Sequence, residues 1–345
     1  MTGILAINAF LHSEKYTQQD KLLLAGAKAC GINLKIYSNL ELRLAVPKAD
    51  FVLFWDKDVS LAHALEQQGL PVFNSAKAIA LCDNKALTYQ TLLCTVPQPE
   101  TMVAPITYFE DSHFSPFIDG AIEHLGLPLV FKECYGSFGA QVFLCHSKEE
   151  IERHITARPF LLQKFCKESA GHDKRIEVIG GRCVAAMERY NPADFRANIT
   201  NGGQMRPYTP TREEEALALA ATEKLGLLFG GVDLLEDGTV CEVNSNAHLV
   251  NLKKCTGIDH KAVAGVLIVG QGAKGCRVKH PHALRLKSPR HRRVVGAVDD
   301  KIRRAVVIRG VQRRAQQRVE FGYRKCVAPC LLRRIQNHAA HCSAS

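Results

Sequence analysis

Three oxygen-bearing side chains near residue 240 define the chemistry open to this chain. The stretch Gly230 to Asn246 reads GGVDLLEDGTVCEVNSN. Its centre, Asp237-Gly238, is a strong two-residue hairpin signal. A turn there sets Asp233 opposite Glu242, with Asn244 two residues on and on the same face. Two carboxylates and an amide, without thiol or imidazole, suit a hard cation. Mg²⁺, with Mn²⁺ as a substitute, would keep waters and substrate phosphates as its other ligands. The same residues would also serve as the solvated face of an ordinary hairpin.

A second cluster lies at residues 127–145, reading LPLVFKECYGSFGAQVFLC. An apolar strand, Leu127 to Phe131, ends in Lys132. A loop with Gly136, Ser137 and Gly139 follows, then a strand from Val142 to Cys145. Backbone N–H groups of such a loop can lie against phosphates, with the lysine as point charge. The G-K-[ST] of a Walker loop is missing, and an ordinary glycine hairpin would read the same way.

These groups need elements to hold them. Residues 1–75 alternate strands (Ile4 to Ile7, Leu34 to Tyr37, Phe51 to Trp55, Val72-Phe73) with helices over Gln18 to Cys30 and Leu61 to Gln68, the latter capped by Ser60. That alternation predicts a parallel sheet with crossover helices. The first strand is not followed by G-x-G-x-x-G, which argues against a dinucleotide site there. Ser75 and then Asp83 or Asn84 cap two further helices, the second opening on Lys85. Strands Phe160 to Phe165, Arg175 to Val178 and Cys183 to Met187 follow, the last two joined at Gly180-Gly181. Thr211 caps a helix that ends at Gly226, with Glu213 to Glu215 at its positive end.

Composition narrows the classes. No basic n-region with an apolar core opens the chain, and no apolar run reaches the roughly 18 residues of a membrane span, so a cytoplasmic protein without membrane contact is expected. The 13 cysteines read as reduced, buried small residues. The net charge of +11 is uneven: residues 271–345 hold 19 Lys+Arg against Asp299, Asp300 and Glu320, leaving 26 basic and 31 acidic residues before them.

In order, the motifs are NS-x-x-AI-x-x-C-D-x-K ending at Lys85, V-F-K-x-x-x-G-S-x-G around Lys132, LLQ-x-F-x-x-ES-x-G-x-D-x-R from Leu161, DFR-x-N with a glycine pair from Asp194, then GVDLL and CEVNSN. This order resembles the RimK-like ATP-grasp carboxylate–amine ligases, the alpha-L-glutamate ligase family, over about residues 3–260. The resemblance implies an α/β and α+β ATP-grasp fold with a doubly wound, Rossmann-like N-terminal domain. It divides the chain into an N-terminal domain at 1–80, a lobe with the lysines and glycine loop at 81–162, a lobe with the metal hairpin at 163–260, and a basic tail at 261–345. It assigns the ATP phosphates to Lys85 and Lys132, with the loop from Gly136 through Ser137 and Gly139 to Gln141 closing over them. Gln163, Lys164 and Phe165 would read the adenine edge, and Asp173 would hold the ribose side. Arg196 and Asn198 would meet the terminal phosphate, and Asp233, Glu242 and Asn244 would hold two Mg²⁺ ions. Arg196 and Lys132 are the catalytic expectations. The implied reaction joins a carboxylate, through an acyl phosphate, to an amine, an amino acid such as L-glutamate, with release of ADP and phosphate. Relatives of this family are often homo-oligomers.

The chain departs from the pattern in three places. Lys164 stands where the family carries an acid, which bears on nucleotide affinity. Gln141 stands at a frequent glycine, which bears on loop closure. Thr200-Asn201 replaces a His or Arg near the acceptor. The tail has three readings: an arginine-rich RNA-binding extension, a small zinc site from Cys326, Cys330, His338 and His341, or a shifted reading frame past about residue 260. A non-catalytic nucleotide-binding module tethering RNA or ribosomes through the tail is the alternative to the enzyme.

Overall fold

The structure is a computed structural model in which residues 1–11, 13–107, 113–246 and 249–258 are described. All three readings of the tail lie outside the described residues.

The chain runs β1 (Thr2–Ile7), α1 (Glu14–Ala29), β2 (Asn33–Ser38), α2 (Asn39–Leu44), β3 (Phe51–Phe54), α3 (Val59–Gln67), β4 (Val72–Phe73), α4 (Ala76–Asp83) and α5 (Lys85–Leu92). These are followed by β5 (Thr101–Val103), α6 (Ser115–Leu125), β6 (Leu129–Glu133), β7 (Val142–Cys145), α7 (Lys148–His154) and β8 (Phe160–Lys164). The last group is β9 (His172–Ile179), β10 (Arg182–Tyr190), β11 (Gln204–Pro207), α8 (Arg212–Leu225), β12 (Phe229–Leu234), β13 (Val240–Asn244) and α9 (Leu249–Thr256). Among the described residues no helix is long and apolar enough to cross a membrane.

The first sheet is parallel, in the order β2-β1-β3-β4. Both faces are covered, as a parallel sheet requires. Leu5, Leu34 and Leu53 pack with Leu23 and Ala27 of α1, while Ile4, Val52 and Phe54 pack with Leu42 of α2 and with Leu61 and Leu65 of α3. This is the doubly wound domain the sequence predicts. The α3 cap differs from expectation. The helix begins at Val59, and Asp58 rather than Ser60 accepts the Leu61 N–H (3.0 Å). Asp58 sits two residues earlier and also draws Arg43, so the carboxylate displaces the hydroxyl from the capping role. The helix α2, capped by a reciprocal Ser38–Glu41 pair, is too short for periodicity to reveal.

The second sheet, β5-β8-β6-β7, is antiparallel, and β6 continues one residue past Lys132 to Glu133. The third, β11-β10-β9-β12-β13, is also antiparallel. On β9 and β12 alternate residues separate cleanly. Ile176, Val178, Val232 and Leu234 face α8 and are buried with Ala218, Ala221 and Leu225. The opposite face carries Asp173, Arg175, Glu177, Gly231 and Asp233. That two-residue period is the sheet's ordinary geometry, and here it sorts apolar from charged.

The grouping of residues 81–162 as one lobe separates what packing joins. Cys82, Leu92 and Val96 are buried in the core of the third sheet, with Ala218, Leu225 and Val240. The apolar side of α5 has α8 and β13 to pack against, so Lys85 reaches the cleft from the same side as the hairpin.

Candidate active site

The expected hairpin is present, with a different turn. The Gly238 N–H donates to Leu235 O (3.0 Å) and the Leu235 N–H to Thr239 O (2.9 Å), which leaves Glu236, Asp237 and Gly238 as a three-residue loop. Gly238 has φ +79°, the left-handed position of a type I turn closed by a G1 bulge. Leu234 pairs with Val240, one residue out of step with the expected register. A bulge at Cys241 then restores it, so Asp233 pairs with Glu242 and Gly231 with Asn244. The expected opposition therefore holds by a different route. The same bulge turns Cys241 toward the cleft, where its Sγ lies 3.6 Å from Lys132 Nζ.

Lys132 is buried, and its Nζ donates to Gln163 Oε1 (2.7 Å), whose Nε2 donates to Thr101 Oγ1 (2.8 Å). Strand pairing of β6 with β8 sets this contact. Lys85 Nζ donates to Gly136 O (3.2 Å) and lies 3.8 Å from Glu242 Oε1. Arg196 Nη1 donates to Gly139 O (2.7 Å) and Val142 O (3.3 Å), and the rest of its guanidinium is held by Asp194 (2.7 Å). Lys57 Nζ donates to Ser137 Oγ (3.1 Å) and pairs with Asp83 (2.9 Å). Three cationic side chains thus hold the glycine loop down onto the site. Gln141 does not prevent this. Its amide folds back over Gly136, whose φ of +145° leaves no room for a side chain.

Lys132, Lys85, Gly136, Ser137, Gly139, Gln163, Lys164, Phe165, Asp173, Arg196, Asn198, Asp233 and Glu242 all line one cleft, between the second and third sheets. Asn244 lies instead in an adjoining cavity between the first and third sheets. Ser137, Arg189, Asn198 and Glu242 line both. The side chain of Lys164 leaves the cleft for Glu100 (3.4 Å), and its N–H is taken by Glu100 O (2.9 Å). The charge reversal at this position is therefore absorbed at the protein surface.

Two arginines that sequence reasoning left without a role dominate the electrostatics. Arg175 donates from Nε and Nη2 to both Asp233 oxygens (2.6 Å each). Arg189 grips Asp173 in the same bidentate way and adds Asp233 Oδ2 (3.0 Å). Burial opposes the Asp233 charge, yet Arg175 and Arg189 outweigh it and hold the carboxyl below its ordinary range. Asp173 is thus an arginine partner as well as a cleft residue. The signal that could have exposed this network is the alternation Asp173, Arg175, Glu177 along a strand whose intervening positions turn apolar at Ile176 and Val178.

Asp233, Glu242 and Asn244 each carry an oxygen donor and no thiol or imidazole stands among them, although both Asp233 oxygens are also held by Arg175 and Arg189. This donor set fits Mg²⁺. A separate cluster of His172, Glu188 and Glu236 is already neutralised by Arg206 on Glu188 (2.6 Å) and Lys174 on Glu236 (3.1 Å).

A model of the RimK-like ATP-grasp domain matches residues 82–266. The chain is 30% identical over 258 residues to an uncharacterized MG012 homolog of Mycoplasma pneumoniae, covering 70% of this chain and 90% of that one. It is 34% identical over 251 residues to human beta-citrylglutamate synthase B, covering 68% and 63%. Among solved structures, a RimK domain ATP-grasp protein from Sphaerobacter thermophilus superposes with a TM-score of 0.59 at 22% identity, covering 76% of this chain and 97% of that one.

Proposed function

The chain belongs to the RimK-like ATP-grasp family of carboxylate–amine ligases, and on that premise we propose a Mg-ATP-dependent ligase that joins a small or peptide carboxylate to an amino acid such as L-glutamate. The observation that carries this reading is that Glu242 and Arg189 line two adjoining cavities at once. A phosphate donor in one and an acceptor in the other would meet across them.

Nucleotide would occupy the cleft between the second and third sheets. Its adenine edge would read backbone groups beyond Lys164, with the phosphates running under the loop from Gly136 to Gly139. Lys132 and Lys85 would bind the phosphate oxygens as point charges. Arg196, which clamps the loop carbonyls, would bring its guanidinium to the terminal phosphate as the loop shuts. Asp233, Glu242 and Asn244 would hold Mg²⁺, whose charge offsets that of the phosphates during transfer. The bond from the γ-phosphorus to its bridging oxygen breaks as a carboxylate oxygen bonds to phosphorus. The resulting acyl phosphate is attacked at carbon by the amine, which loses a proton, and the bond from that carbon to the phosphate oxygen breaks as phosphate leaves with its electron pair. Loop closure keeps water from taking the amine's place. Relatives bearing glutamate in their names, such as human beta-citrylglutamate synthase B, support L-glutamate as the amine. We place it in the cytoplasm, a setting that suits buried thiols such as those of Cys82, Cys134 and Cys145.

Phosphate release measured over a panel of acids and amino acids tests the proposal. ADP and phosphate should form only when both partners are present, and AMP with pyrophosphate would overturn the acyl-phosphate route. Glu242→Gln should lower kcat by about 10³-fold or more while leaving Tm unchanged, because Glu242 is part-exposed and only loosely paired. Asp233→Asn should lower both, by about 3–5 kcal/mol in stability, because it leaves the buried Arg175 guanidinium without its carboxylate and removes one of the two that Arg189 holds.

A further inference from the structure

The cavity between the first and third sheets, about 320 Å³ in volume, holds a cation that no described carboxylate neutralises. Four cationic side chains line it. Arg175 and Arg189 are committed to Asp233 and Asp173, and Lys57 to Asp83. The fourth is Lys15, in the first turn of α1. It forms no ion pair with any described carboxylate. Its amine is half-buried, and its pKa is pushed down by burial, by Arg175 and by Lys254. A cation in that position costs stability unless an anion arrives to meet it.

The two acidic residues in the lining are not its partners. Asp56 accepts from the Asn8 and Asn39 amides and from the Lys57 N–H. Glu242 lies beside Lys85 (3.8 Å). Asn244 Nδ2 and Asn246 Oδ1 are buried there without partners among the described residues. Leu11, Trp55 and Met187 supply apolar wall. The lining therefore suits a short aliphatic chain that also carries polar groups for Asn244 and Asn246 and an anion for the Lys15 charge.

We propose that Lys15 is a specificity-determining residue, which pairs with an anionic group of the substrate other than the carboxylate that reacts. This rests on the ligase reading above for which cavity takes the acceptor. The anionic group is a carboxylate, borne either by the acid or by the amino acid. Lys15 belongs to the N-terminal sheet layer, so this layer selects substrate while the other two sheets carry the chemistry.

Calorimetric titration of the full chain with Mg²⁺ and a non-hydrolysable ATP analogue tests this, using pairs matched except for one charge. Glutarate is compared with its monoamide, glutaramate, and L-glutamate with L-glutamine. The wild type should bind the dicarboxylate of at least one pair about 10- to 100-fold more tightly than its match, the range of a charge-assisted contact. Lys15→Met should abolish that preference, leaving the match and the ATP analogue unaffected, and Lys15→Arg should restore most of it. The pair that responds identifies which substrate bears the group. Lack of preference in both pairs, or a Lys15→Met protein that keeps it, overturns the proposal. Binding needs no turnover, so charge preference without phosphate release would sink the ligase reading alone. Turnover without charge preference would sink the role of Lys15 alone.

Discussion

Two residues along β9 from the Arg175–Asp233 pair, the Glu177 carboxyl is buried with neither oxygen hydrogen-bonded among the described residues. Gly231 lies directly opposite, and a Cβ there would stand 3.0 Å from Glu177 Oε1. Burial pushes the Glu177 pKa up to about 7, against the pull of Arg175. The folded state thus holds a proton that the unfolded chain releases near pH ~4.3. Stability from this group is full below that value, is lost as pH rises toward 7, and is flat above. The span is on the order of 3 kcal/mol. Glu177→Gln, which mimics the neutral acid, should remove this dependence. Melting temperatures of wild type and variant should converge below pH ~4 and separate by pH ~8, with the variant higher. Curves that stay parallel across that range would dispose of the idea. Sequence reasoning identified Lys132, Glu242 and the other charged residues by type, and each lines a cavity. It missed the pairing of Asp233 and Asp173 with arginines, because cross-strand neighbours depend on register, which a single strand's pattern leaves open.

At the level of elements, strongly punctuated segments were legible. Ser75, Asn84 and Thr211 each accept the N–H bonds expected of caps, and Gly226 adopts the left-handed close expected at the end of α8. Elements set by tertiary contact were not. The strand β5 has three residues and forms by pairing with β8, and the bulge at Cys241 carries no local signal. The glycine loop shows how an element's shape governs function. Gly139 has φ +73°, and a Cβ there would stand 3.0 Å from Asn198 Oδ1. Gly139→Ala adds left-handed strain of about 1–2 kcal/mol and pushes the loop off Asn198 and Arg196. The expected result is a KM for ATP raised roughly 5- to 30-fold, with Tm lowered by no more than a few degrees. A variant with unchanged KM would show that the clamp is dispensable for nucleotide binding.

At the scale of the whole molecule, the described chain works only if the first sheet stays fixed against the third. The sequence shows the first sheet as a domain of its own, and nothing in its pattern specifies that docking. Asn74 provides it. The side chain is fully buried, and its Nδ2 donates to Phe229 O (2.8 Å) and Ser245 O (2.9 Å), while its Oδ1 accepts the Leu228 N–H (2.8 Å). Beside it Trp55 stacks on Phe229 with centroids 4.9 Å apart, and Asn246 Nδ2 donates to Asp56 O (3.1 Å). One amide therefore satisfies three backbone groups at the ends of β12 and β13, the strands that carry Asp233 and Glu242. Asn74→Ala would leave all three buried without partners. At about 1–3 kcal/mol for each orphaned group, offset in part by relaxation, a loss of roughly 3–5 kcal/mol is expected. The loss should also be unequal between sites. The Lys15 cavity is walled by the first and third sheets and would widen, whereas the nucleotide cleft is walled by the second and third and would not. Denaturant unfolding, with separate titrations of a non-hydrolysable ATP analogue and of the preferred dicarboxylate, distinguishes the two. Dicarboxylate affinity should fall at least tenfold while nucleotide affinity stays within about twofold. Equal losses at both sites would mean that the first sheet supports the whole active centre rather than the acceptor side alone.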